Sequence, residues 1–279
     1  MVNIRLTLLF LFLIYFPITL FSQKIKEVDS LEVEEETTIH NEFRSTYKQQ
    51  KIEDSFDNEI KKFPSENVFN DTLRSLYNAI GLENYDLDFN VFRHGMIGYF
   101  SLRQEGKLSE KNLLSIIDFT KSSCDKRFYT IDLDNKNVIF HSLVSHGRNT
   151  GEDKAEAFSN DPDSNQSSLG FYVTGEEYVG SKGYSMRLDG TEIGINDMMR
   201  ERAVVMHDAE YVSEDWVKKY GRLGRSQGCP ALPKEISKQV IDTIKHKTAI
   251  FAYYDDDTYI NASNYLDLTK LVDQLEDQD

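Results

Sequence analysis

Between Ser65 and Gln104 the apolar residues recur every three to four positions, and beyond Asn112 they recur every two. One kind of element cannot serve both periods. A helix brings i, i+3 and i+4 to one face, whereas a strand sends successive side chains to opposite faces. The break therefore divides the chain into a helical part and a strand-rich part. In the first, Phe43, Tyr47, Ile52, Phe56, Ile60 and Phe63 fall near helical spacing up to Pro64. Ser65 is then placed to cap a helix with Leu73, Leu76, Tyr77 and Ile80 on one face, and Gly81 to end it. A further stripe of Phe89, Phe92, Met96, Tyr99 and Phe100 predicts a helix from about Asp88 to Gln104. Residues 41–110 thus read as a small N-terminal helical region.

After the break, Leu113 to Phe119 is a short apolar run, and Phe128 to Asp134 and Val138 to Ser145 alternate around a polar turn, which reads as a hairpin. Gly170 to Gly175, Tyr184 to Leu188, Ala203 to His207 and Thr248 to Tyr254 are further strands between Gly-, Asn- and Asp-rich loops. Short, spaced strands with few helices predict a mainly β, mainly antiparallel domain over residues 111–255.

The flanks are of other kinds. Residues 1–22 carry Arg5 and an apolar run from Leu6 to Phe21, the pattern of a secretory signal peptide, either cleaved after Ser22 or kept as a membrane anchor. Both outcomes export the remainder to the periplasm or cell envelope, and that uncleaved anchor would be its one link to a membrane. Residues 23–40 form an acidic linker, and residues 256–279 an acidic tail with Leu266, Leu268, Leu271 and Leu275 at amphipathic spacing. The net charge of -15, with no Lys/Arg cluster, excludes nucleic acid as a partner, because phosphate binding needs concentrated positive charge. Two cysteines, Cys124 and Cys229, provide no disulfide framework. Each therefore needs its own explanation.

For Cys229 the surroundings give one. Arg202-Ala-Val-Val-Met-His207-Asp208 reads as an apolar strand with the histidine at its end, and after a loop comes Gly224-Arg-Ser-Gln-Gly-Cys229-Pro-Ala231. A cysteine after a glycine, with a histidine at a strand end, supplies the two groups of a thiolate–imidazolium nucleophile. Gly228 allows close approach of a reacting carbonyl, and its N–H with that of Cys229 would meet an oxyanion. His207 precedes Cys229 by 22 residues, an order and distance that fit neither papain-like enzymes nor caspases. Asp208 neighbours His207, but adjacent strand residues point to opposite faces. His141 and His146 near the hairpin end have no paired His or Cys spacing that would hold a metal, and the chemistry calls for no cofactor.

A strand ending in His207 followed by Ser226-x-Gly228-Cys229 resembles the YkuD-type L,D-transpeptidases. Ser168-Leu-Gly-Phe-Tyr-Val-Thr-Gly175 is similar to that family's Thr-Pro-x-Gly-x-Phe strand, and Tyr184 to Gly190 to the strand before its histidine. Ile131-Asp-Leu133, the hairpin to Gly147 and Gly-Arg-Ser-x-Gly-Cys-Pro-Ala resemble the divergent branch of murein L,D-transpeptidase catalytic-domain proteins, and the likeness runs over roughly residues 85–255.

The resemblance implies a YkuD-like β-sandwich and a substrate, the peptidoglycan stem tetrapeptide. Cys229 would attack the carbonyl of its third residue, His207 would act as base and acid, D-Ala would leave and a thioester would remain. An amine acceptor gives a 3-3 cross-link, and water gives L,D-carboxypeptidation. Carbapenem-type inhibitors are implied for the same thiol, and a histidine oriented by a main-chain carbonyl. The family's usual Ser-His-Gly-Cys carries an arginine two residues later; here Gln227 replaces the His, and Pro230-Ala231 follow. Arg225 or Arg187 would then hold the stem-peptide carboxylate, with His146 and Gln227 lining the cleft. A non-catalytic module that binds wall peptides is the other class of reading, motivated by Gln227 and the acidic linker.

Overall fold

The structure, a computed structural model, describes residues 65–276. The signal segment, the acidic linker and the stripe through Phe43 and Phe63 lie outside them. Helix α1 (Glu66–Ile80) begins where Ser65 Oγ accepts the Val68 N–H, and ends at Gly81, whose φ of 72° turns the chain out of the helix. Its buried face is Phe69, Leu73, Leu76, Tyr77 and Ile80. After a 3₁₀ turn at Leu82–Tyr85, Asp88 caps α2 (Phe89–Gln104), accepting the Asn90 N–H at 2.7 Å.

Eight strands follow: β1 (Leu113–Asp118), β2 (Phe128–Asp132), β3 (Asn137–Ser142), β4 (Gly170–Gly180), β5 (Gly183–Gly190), β6 (Val205–Asp208), β7 (Ala231–Leu232) and β8 (Ala249–Tyr253). The intervening and following helices are α3 (Glu214–Tyr220), α4 (Lys234–Ile244), α5 (Asp257–Ala262) and α6 (Leu268–Glu276). The fold is mainly β with a helical N-terminal part. The strands form one sheet in the order β3-β2-β1-β8-β4-β5-β6-β7. Two pairs, β1 with β8 and β6 with β7, are parallel. The expectation of a mainly antiparallel arrangement holds, the other five pairings being antiparallel, and the parallel β1–β8 pair stands at the centre. There β8 returns through α4 and slots between β1 and β4, since parallel neighbours need a crossover rather than a tight turn.

α2 lies against β1 and β8, closely enough that a Cβ on Gly98 would stand 1.9 Å from the Phe171 ring. Phe171 stacks on Phe251 with ring centroids 4.3 Å apart, beneath that helix. The tail leucines do more than decorate a surface: Leu268, Leu271 and Leu275 are buried as α6 packs against α1 and α2. Past β3 the chain runs on to the opposite edge of the sheet. Ser145 N–H donates to Ala231 O at 2.9 Å and Arg148 N–H to Ser226 O at 2.8 Å, so the segment 143–148 covers the β7 side and nearly closes the sheet.

Candidate active site

The site grows from β6. Val204, Val205 and Met206 are buried, which draws the strand into the core and fixes its end, His207, at 4% exposure. On one side β6 pairs with β5, placing Ser185 opposite His207 and Arg187 opposite Val205; on the other, His207 pairs with Ala231 of β7. Val205 and His207 share a face, and Asp208 is on the other. It is the Asp208 main chain that touches the imidazole, with Nδ1 at 2.7 Å from Asp208 O. A carbonyl only accepts, so Nδ1 carries the proton and Nε2 keeps its lone pair.

The loop before β7 carries the thiol. Ser226 Oγ accepts the Gly228 N–H at 3.0 Å and donates to Cys229 O at 2.6 Å, closing the turn Ser226–Cys229 on itself. Its main chain is bound to His146 and Arg148 on one flank; on the other, Ser167 Oγ donates to Gly228 O at 3.3 Å. Gly228 has φ of 115°, and a Cβ there would stand 2.7 Å from Gln166 O. Both the backbone angle and the space admit only glycine. The Gly228 N–H is thus spent on Ser226. Among the described residues, the Cys229 N–H has no acceptor, which leaves it as the donor for an oxyanion.

Cys229 Sγ accepts the Val205 N–H at 3.4 Å and lies 3.9 Å from Ala203 O. It makes no hydrogen bond to His207, which stands two residues further along β6 from the Val205 N–H. Burial pushes the Cys229 thiol up, opposed by the Val205 N–H and by the charges of Lys182 and Arg202. Burial likewise pulls the His207 imidazole down. Both effects favour a neutral thiol and neutral imidazole in the free protein over the preformed ion pair expected from the residue types.

Cys229, Gly228, Ser226 and His207 are thus brought together at the β6–β7 seam. The other expected residues are not. Arg225 turns to the loop at 148–152, where Nη1 meets Arg148 O, Gly151 O and Glu152 Oε1 at 3.0, 3.0 and 2.7 Å. Arg187 lies 3.9 Å from Glu176 and over the Tyr178 ring. Neither offers a free charge. His146 does not line a cleft: it is 1% exposed and bonded through Nδ1 to buried Arg127. Gln227 stands exposed at the loop tip. Cys124 sits apart, its thiol directed at Gly221 O and Asp153 Oδ1, and both cysteines are free. Among the described residues no group of three or more His, Cys, Asp or Glu could hold a metal.

Sequence reasoning missed Arg202 and Tyr211. Arg202 lies against Gly228, with Nη2 3.4 Å from where a Cβ would stand. Burial, and the negative charge Cys229 takes as a thiolate, push the Tyr211 phenol up to about 12. Arg202 carries a readable signal, a cation at the entrance of an apolar strand; Tyr211 carries none.

A thiol-bearing turn is thus pinned beside a strand that carries His207 at its end, on a mixed sheet flanked by helices. The chain belongs to the L,D-transpeptidase catalytic domain family (YkuD_2), whose family model matches residues 83–253. No curated protein matches the sequence. Among solved structures, the chain is similar to an L,D-transpeptidase from Mycobacterium smegmatis at 14% identity and TM-score 0.32, over 51% of this chain and 59% of that one. It is similar to the helical cell shape determining protein of Campylobacter jejuni at 12% identity and TM-score 0.36, over 62% and 63%. An Enterococcus faecium L,D-transpeptidase is similar at 12% identity and TM-score 0.32, over 52% and 50%. The matched region spans about three-fifths of the first of these structures.

Proposed function

We propose that this protein is an exported L,D-transpeptidase that acts on peptidoglycan stem tetrapeptides through Cys229. The observation that carries the reading is the placement of Cys229 Sγ against the Val205 N–H, two residues along β6 from His207, inside the region matched by the family. In the proposed step Sγ bonds to the carbonyl carbon of the third stem residue while its proton passes to His207 Nε2. The Cys229 N–H meets the developing oxyanion. Collapse breaks the bond to D-Ala, whose nitrogen takes the proton from His207, and a thioester remains. An acceptor amine then attacks the thioester, gives up a proton to His207 and leaves an amide, a 3-3 cross-link, with the thiol restored. Water as acceptor gives the trimmed tripeptide.

Ser226 holds the turn and Gly228 lets it pass under Gln166. Residues 111–255 are the catalytic part, preceded by the helical region at 41–110, and residues 1–22 direct export to the envelope.

Mass spectrometry of disaccharide-tetrapeptide with wild type and Cys229→Ala, with and without a competing amine, tests the reading. Wild type alone should release D-Ala, and the amine should be incorporated. Unchanged substrate with both proteins would favour the non-catalytic wall-binding module. A carbapenem should add its mass to the Cys229 peptide, since opening of its lactam ring by the thiol leaves a stable thioester.

A further inference from the structure

Arg202 has surroundings that the proposed reaction does not account for. It stands just before β6, and Ala203, with φ of 53°, turns the chain between them. The half-buried guanidinium donates from Nη1 to Ser159 O at 2.8 Å and Ser168 Oγ at 2.7 Å, and from Nη2 to Ser164 Oγ at 3.1 Å and Gln166 O at 2.7 Å. All four acceptors are neutral. Arg187, Arg200, Arg222 and Arg225 each have a carboxylate within ion-pair distance, whereas among the described residues Arg202 has none. Its Nη hydrogens are used up, and the carboxylate that acts on its charge, Asp161, does so from beyond ion-pair distance. A bidentate grip on a substrate carboxylate is therefore closed to it.

The charge falls on the nucleophile turn. Nη2 packs against Gly228, and Gln166, which Arg202 holds, forms the wall that excludes a side chain there. A desolvated cation without a counterion is costly, and the cost falls when an anion forms beside it. Cys229 is the next residue along. We propose that Arg202 is a positioning residue of this site: it braces the 159–168 segment against the Gly228–Cys229 peptide through neutral acceptors and keeps its unpaired charge for the Cys229 thiolate.

The other charged or titratable groups acting on the sulfur are Lys182 from the β4–β5 turn and Tyr211 from the loop after β6, while His207 stands two residues along β6 from the Val205 N–H that the sulfur accepts. Lys182 is exposed and acts through solvent, so its effect is weakened by salt. Tyr211 and His207 are neutral near pH 7, the first with its phenol pushed up and the second with its imidazole pulled down.

The inference rests on Cys229 being the nucleophile, and its test needs no stem peptide. Cys229 and Cys124 of the full chain are alkylated with iodoacetamide across a pH series, and peptide mass spectrometry reads each separately in wild type, Arg202→Lys and Arg202→Gln. In R202Q the Cys229 titration midpoint should rise by about one unit. In R202K it should stay near wild type, and Cys124 should not move in either. An unshifted Cys229 in a folded R202Q, or a shift in R202K as large as in R202Q, would overturn the proposal. If R202Q does not fold, R202K against wild type decides: a wild-type midpoint supports the role of the charge and a full-unit rise sinks it. A protein that shows the Arg202 effect yet leaves stem peptides intact would overturn the proposed substrate and not the cation.

Discussion

Arg127 Nη2 donates to His146 Nδ1 at 2.8 Å, and both side chains are buried. A guanidinium only donates, so Nδ1 must be the acceptor and the ring proton sits on Nε2, directed at Gly151 O 3.3 Å away. The same residue presents its main-chain oxygen to Ser226 N–H at 3.0 Å. A neutral imidazole is thus built into the support of the turn that carries Cys229.

Burial first, and then the Arg127 charge, pull the His146 imidazole down to about 4. The unfolded chain takes up this proton as pH falls through the ordinary histidine range near 6.5, while the folded protein refuses it until about pH 4. The contribution of His146 is therefore complete above pH 6.5 and is lost progressively between there and about 4. The loss is on the order of 3 kcal/mol. Thermal unfolding of wild type and His146→Gln across this window should show a steeper decline for wild type; parallel curves would remove His146 from the acid response.

Ser226 Oγ ties Gly228 N–H to Cys229 O without standing at the reacting atoms. Ser226→Ala should lower kcat by roughly 10- to 100-fold through a misplaced thiol, with KM near wild type. Steady-state release of D-Ala measures both, and a change confined to KM would contradict the positioning role.

Gly228→Ala meets two obstacles, the φ of 115° and Gln166 O at 2.7 Å. A forced left-handed residue costs about 1–3 kcal/mol. Relief would have to move Gln166 or the thiol. The expected result is a lower melting temperature together with loss of D-Ala release, read by calorimetry and by mass spectrometry on the same preparation.

Away from the site, Gly98→Ala drives a methyl into the Phe171 ring, 1.9 Å from the built Cβ. Overpacking of this kind costs about 1–3 kcal/mol, because α2 must lift from the sheet or Phe171 must leave its place against Phe251. Denaturant titration should show the loss. Activity per folded molecule should remain, since neither residue touches the turn or β6.

The helical and strand elements were legible because burial writes them directly: Leu73, Leu76, Tyr77 and Ile80 line the inner face of α1, and the apolar run from Leu113 becomes β1, buried at every position. Strand β7 has two residues and no period to read, and α4, with its buried face of Val240, Ile241 and Ile244, lay within a stretch given no element. His207 and Cys229 were visible through residue type and order. The supporting cations were not, because their roles depend on distant partners. Glu152 neutralises Arg225, Arg127 claims His146, and main-chain carbonyls and serines from 159–168 hold Arg202. No local pattern reports which carboxylate a loop will bring to a given arginine.

Strand β8 has a consequence for how such a chain must be made. It is the last strand in sequence and lies between β1 and β4 in the middle of the sheet. Until residues 249–253 leave the ribosome, β1 and β4 each keep a bare edge, and the three strands before and the four after can meet only through the 143–148 segment on the β7 side. Unpaired edges of that kind invite pairing with other chains. The long-range β1–β8 and β4–β8 contacts also place this topology among slow folders. A chain cut short of Ala249 would therefore retain every residue of the proposed site and still lack the strand that joins its two halves.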